Sequence, residues 1–291
     1  MKLKALINLS DIVFFIFLTL TFLLIIVGSG KTENFQFLIS IRIISAIIAI
    51  LLIYFNDIKK SKLLKLLRVF YPLIFTAYFY GETGYYNNIF FENLDLFFVN
   101  LEQNIFNFQP SILFSQKYNM LWFSELMNFS YFSFYLLVIG IPVLLYAKSN
   151  KFFDKYYFIL IFSFYTYYLL FAIFPVVGPQ FYFPLDLRIL PDSGIFHKIM
   201  FFIQENGETP TGAFPSSHVG ISLIFVYIVY KEYPKLLYIV MLFAVLICFS
   251  TVYMKAHYVL DVVGGFISVP ILYFIAEKTY LKFHEKSIQV T

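Results

Sequence analysis

The chain has 291 residues, 60% of them hydrophobic and 13% charged, with a net charge of +4. Soluble domains carry about 25% charged and about 45–50% apolar residues, so this composition excludes a single water-soluble core and makes the bilayer the expected solvent. The positive charge lies in short lysine clusters between apolar runs, the pattern of cytoplasmic loops, which argues against a nucleic-acid partner.

In chain order, apolar runs occur at 12–27, 37–55, 64–80, 129–147, 156–176, 219–230, 236–253 and 262–276. With their flanks they approach the roughly 17–25 residues of a bilayer crossing. The expected fold class is an all-α polytopic membrane protein with about eight transmembrane helices. The first run follows a basic start but is long for a secretory signal and lacks an A-x-A-like exit, so it reads as an uncleaved span. The third contains Pro72, and the sixth is short. The sole cysteine, Cys248, lies in an apolar run, which rules out an internal disulfide.

Lys2, Lys4, Lys59, Lys60, Lys62, Lys65, Arg68, Lys148, Lys151, Lys155, Lys231, Lys235, Lys278, Lys282 and Lys286 fall on one side of this layout. Lys31, Lys117, Arg188, Lys198 and Lys255 fall on the other, although its loops are longer. The positive-inside rule then makes both termini cytoplasmic. Arg42 lies inside the second run, where a structural ion pair is the expected account.

Two segments on the non-cytoplasmic side exceed simple turns. Segment 81–125 holds ENLDLFFVNLEQNIFNF, with Glu92, Asp95 and Glu102 among apolar residues at helical spacing, as in a helix lying along a membrane surface. Segment 177–217 is rich in glycine and proline and reads as an ordered loop, placing His197 in a loop. His284 reads as part of a cytoplasmic tail.

That second segment ends in GAFPSSHVGISL. Ser216 or Ser217 is positioned to cap a following helix, whose N-terminus makes a phosphate cradle. The other polar island, STVYMKAHYVLDVVGG at 250–265, returns to the same membrane face. Asp261 follows His257 by four residues, so a helix would stack them on one face. The carboxylate can then accept the Nδ1–H and leave Nε2 as a nucleophile. A second histidine nearby, His218, can protonate a leaving alkoxide.

P-S-S-H at 215–218 followed by Ser250, His257 and Asp261 in S-x6-H-x3-D spacing resembles the second and third signatures of the type 2 phosphatidic acid phosphatase superfamily. FPSSHVG, STVYMKAHYVLDVVGG and PVVGPQFYF look most like its inositol phosphorylceramide synthase-like (inositolphosphotransferase) branch. The resemblance covers roughly residues 91–276. It implies a six-helix lipid-phosphatase core within residues 61–291, preceded by two accessory transmembrane helices within 1–60. It also implies a phosphohistidine on His257, His218 as general acid, Asp261 as the residue that orients His257, and chemistry that needs no metal or cofactor. The substrate would be a membrane lipid phosphate, with water or an alcohol or lipid as acceptor.

The chain departs from the family pattern in three places. The first signature, a lysine followed by Arg-Pro, is not evident, and residues 175–183 stand there with Gln180. Ser217 replaces a glycine, and Thr251 an arginine. Phosphate contacts are therefore expected from Ser216, Ser217, Ser250, Lys255 and Arg188, with Lys198 behind them.

Taken singly, each residue has a plainer reading. His218 can cap a helix, His257 can simply bond Asp261, Lys255 can snorkel to headgroups, and Arg188 can pair with Asp186. Gly264 and Gly265 read as sites of close helix packing. Three functions are carried forward. One is a lipid-phosphate phosphatase or phosphotransferase at the outer face, in a bacterial inner membrane with the site facing the periplasm. The second is a phosphodiester headgroup transferase, and the third a non-enzymatic lipid transporter or binding protein.

Overall fold

The computed structural model describes residues 7–32, 34–58, 61–148, 152–188 and 194–288. These form α1 (Leu9–Val27), α2 (Phe35–Ile58), α3 (Lys62–Glu82), α4 (Asp95–Phe106), α5 (Pro110–Lys117), α6 (Leu121–Ala147), α7 (Phe153–Ile173), α8 (Pro179–Tyr182), α9 (Leu185–Arg188), α10 (Ile195–Gly207), α11 (Ser217–Glu232), α12 (Leu237–Tyr253) and α13 (Val259–Ile288). No strand occurs among the described residues. Lys2, Lys4, Lys59, Lys60 and Lys151, used above for orientation, lie outside them, as does the side chain of Arg188.

Among the described residues seven helices are long and apolar enough to cross a membrane: α1, α2, α3, α6, α7, α12 and α13. The protein is a multi-pass membrane protein. The sixth expected span, α11, has 16 residues and is packed against α6, α7, α12 and α13. Its Val219, Ile221, Ile224, Phe225, Ile228 and Val229 are all buried, so α11 sits in the interior of the bundle.

The first two helices join the same core. Phe14 and Phe17 of α1 and Ala49 of α2 pack in one cluster with Phe79 of α3 and Tyr165 of α7. Two buried ion pairs reinforce this. Arg42 in α2 reaches Glu82 at 2.5 Å and donates from Nε to Thr21 at 2.8 Å, the pairing expected of a charge inside a span. Arg68, grouped by sequence with the lysines of one side, is a buried residue of α3, bonded to both oxygens of Asp11 at 2.7 and 2.5 Å. Neighbouring lysines made it look solvated, whereas its partner lay 57 positions away.

The lysine-bearing helix ends gather at one end of the bundle. Lys155 of α7 meets Glu277 of α13 at 2.5 Å, and Lys148 after α6 lies 5.0 Å above the Tyr233 ring after α11. His218, at the start of α11, and His257, just before α13, lie at the other end. His284 belongs to α13, stacked on Tyr280 at 5.7 Å, so the expected tail is helical there.

Segment 177–217 contains α10 rather than only loop, and His197 is in it. Glu125 accepts from the backbone N–H groups of Phe196 and His197 at 3.1 and 2.9 Å, which supplies the anionic cap that a helix N-terminus favours. Flanking glycines and prolines hid this helix in the sequence. The amphipathic α4 is present, but its acids turn inward: Asp95 and Glu102 are buried while Leu96, Phe97 and Ile105 are exposed.

Candidate active site

α11 and α13 carry the two halves of the site and approach closely at their starts. A Cβ on Gly265 would lie 2.8 Å from Ser216 O and 3.0 Å from Val219 Cβ, so glycine there permits the approach. Ser216 caps α11, accepting from Val219 N at 3.4 Å, and its own N–H donates to Asp261 O at 3.0 Å. Between α12 and α13 the chain turns through Lys255, whose φ of 62° is left-handed, and His257 N closes the turn on Thr251 O at 3.1 Å.

This arrangement places His218 Nδ1 3.2 Å from His257 Nε2. His257 Nδ1 donates to the carbonyl of Ala213 at 2.8 Å, which fixes the tautomer and leaves Nε2 with a lone pair. Asp261 Oδ2 stands 3.5 Å from the same Nδ1 and accepts from Tyr258 N at 2.7 Å. The Ala213 carbonyl is therefore the nearer acceptor, with the Asp261 carboxyl beside it. Burial pushes the His257 imidazole down to about 4, against the opposing pull of the Ala213 carbonyl and Glu208. The His218 ring rests against Phe134 and Tyr131, with centroids 4.4 and 4.9 Å away.

The other expected residues are placed unequally. Ser217 and His218 line a cavity of about 250 Å³ among α3, α6, α7 and α10. Ser250 is buried and donates to Ile247 O at 3.1 Å within its own helix. Lys255 is 1% exposed, so it does not snorkel; its Nζ has no hydrogen-bond partner among the described residues, and burial lowers it to about 8. Lys198 is exposed on α10.

Three contributors escaped the sequence reading. Ala213 acts through its backbone, which residue type does not reveal. Asp95 accepts from Val177 N, Gly178 N and the Tyr258 hydroxyl at 2.8, 2.9 and 2.9 Å, tying loop 175–178 to the residue after His257. Gly178 itself needs its φ of 87° and the space a Cβ would take, since that atom would sit 2.5 Å from Ala256 O. Glu208 lies in the cavity wall and accepts from Tyr131 OH at 3.0 Å, Gln180 Nε2 at 2.6 Å and Gln204 Nε2 at 3.3 Å. Burial raises its carboxyl, opposed by these donors.

Two histidines, one in α11 and one in the turn before α13, joined nitrogen to nitrogen beside an apolar cavity, agree with the motif order, and the family model of the PAP2 superfamily matches residues 98–275. The chain belongs to the PAP2 superfamily. The match runs from α4 into α13 and includes both histidines. No curated protein and no solved structure shows significant similarity to the chain. Membership in the PAP2 superfamily points to an enzyme of the phosphatase or phosphotransferase kind.

Proposed function

We propose that this PAP2 superfamily member moves a phosphoryl or phospho-headgroup from a membrane lipid through a phosphohistidine on His257. The observation that carries the reading is the 3.2 Å contact between His218 Nδ1 and His257 Nε2, with His257 Nδ1 already committed to Ala213 O. Nε2 attacks phosphorus as the P–O ester bond breaks, and His218 gives its proton to the departing oxygen. Water or an alcohol then adds to phosphorus, the P–N bond breaks, and the incoming hydroxyl proton returns to His218. Asp261 and the Ala213 carbonyl stabilise the charge that His257 gains. Ser216 and Ser217 at the α11 N-terminus, Lys255 and Arg188 are the proposed phosphate contacts, and the hydroxyl of Ser250 would have to leave Ile247 O to join them.

The substrate would enter the cavity lined by Tyr80, Phe134, Val138, Phe164 and Tyr168 from the bilayer, headgroup first. Transfer to an alcohol, as in the inositol phosphorylceramide synthase-like branch, is the finer reading; the likeness of FPSSHVG and PVVGPQFYF supports it. In this reading residues 61–291 form the catalytic unit, 1–60 add two accessory spans, and the site opens at the outer face of a bacterial inner membrane.

The test is purified protein with radiolabelled lipid phosphates, following inorganic phosphate and new phospholipid in parallel. Acid-labile, base-stable label on the protein is expected, and it must vanish in His257→Ala. Turnover that survives that substitution would overturn the mechanism. New lipid formed only with an alcohol present would decide for transfer.

A further inference from the structure

The cavity beside His218 joins five aromatic side chains to one carboxylate. Tyr80, Phe134, Tyr135, Phe164 and Tyr168 line it together with Glu208, and no lysine or arginine does so among the described residues. Elsewhere two buried carboxylates of the spans have a guanidinium each: Asp11 has Arg68 and Glu82 has Arg42. Asp95, Glu102 and Asp261 have no such cation, but they serve backbone N–H groups and none lines this cavity. Glu208 alone faces the cavity with only neutral donors, Tyr131, Gln180 and Gln204. Three donors leave a carboxylate about one of its four lone-pair positions open.

A carboxylate next to a phosphate site repels the phosphate once ionised, and a ligand that brings its own positive charge both removes that repulsion and favours the ionised form. Aromatic faces and a carboxylate together are what a desolvated ammonium group requires. We infer that Glu208 and the surrounding tyrosines form a cation subsite, and that the substrate is a zwitterionic phospholipid whose headgroup carries an amine. This deepens the proposed function and rests on it for placing the phosphate at His257. Tyr131 joins the two parts, bonding Glu208 through its hydroxyl and facing His218 with its ring.

Binding is tested apart from turnover, using the full chain carrying His257→Ala in detergent micelles. Short-chain phosphatidylcholine and phosphatidylglycerol of equal chain length are the probes, titrated calorimetrically. We expect the choline ester to bind about tenfold tighter. Glu208→Gln, which keeps an acceptor for Gln180 and Gln204, should bring the ratio to within about twofold. Tyr135→Leu should lower it about threefold, a check that does not depend on Glu208→Gln folding. Equal affinity for the two lipids, or a preference that survives both substitutions, overturns the subsite. A binding preference with no phosphohistidine in the native chain would instead remove the catalytic reading and leave the subsite standing.

Discussion

His218 Nδ1 meets His257 Nε2 at 3.2 Å, so in the proposed reaction each imidazole occupies the place the phosphate would take against the other. In that reading substrate separates them, trading one neutral hydrogen bond for two charge-assisted ones.

The two histidines should therefore fail differently. His257→Ala removes the proposed nucleophile and should abolish both turnover and covalent label. His218→Ala keeps Nε2 but loses proton transfer, a loss of about 10²–10⁴-fold in kcat. A leaving group of low pKa, such as p-nitrophenol, should restore much of that rate. Stopped assays on matched ester and p-nitrophenyl substrates check the split.

Two depressed groups in the turn between α12 and α13 should mark the pH profile. With the imidazole held down at about 4, the neutral nucleophile is present above that pH, and kcat/KM should rise through about pH 4. With Lys255 lowered to about 8, a phosphate contact from it is lost above that pH, and kcat/KM should fall through about pH 8. Lys255→Met should flatten the upper limb only. Stability has its own sign. Between about 4 and the ordinary 6.5, unfolded chains bind the extra proton, so stability from His257 is lost as pH falls through that window. Thermal unfolding of His257→Gln should show a shallower slope there.

Asp95 is a positioning residue. Asp95→Asn turns one acceptor into a donor facing Val177 N, Gly178 N or Tyr258 OH, and a buried donor left without an acceptor costs about 1–3 kcal/mol. The expected result is a lower Tm together with a kcat loss larger than any change in KM. A Tm loss with unchanged kcat would show that loop 175–178 does not govern His257.

Two glycine substitutions should have opposite effects. Gly265→Ala would drive Cβ to 2.8 Å from Ser216 O, and overpacking of this kind costs about 1–3 kcal/mol; because Ser216 starts α11, activity should fall with it. Gly140→Ala meets nothing within 4 Å and sits inside α6, where alanine favours the helix by about 1 kcal/mol. Denaturant midpoints and initial rates of both variants check the contrast.

The histidine pair was legible because its signal is a spacing plus a topological return: Pro-Ser-Ser-His before one apolar run, His-x3-Asp before another. The membrane class was legible in composition alone. α10 was not, since Gly194 and Gly207 punctuate an apolar helix that looks like loop. The period of α4 was readable, yet a stripe of acids does not say whether it faces water or buried N–H groups; only the partners at Val177, Gly178 and Leu260 decide that. Arg68 and Glu208 were missed for the same reason, because burial depends on residues distant in the chain.

α4 also alters how the enzyme meets its surroundings. Its inner carboxylates hold the loops on which His257 depends, while Leu96, Phe97 and Ile105 face outward. In a bilayer, that outer face would be covered by amphiphile rather than protein. The solvating lipid then becomes a mechanical part of the site, and a change of detergent should move catalytic rate before it moves the melting temperature.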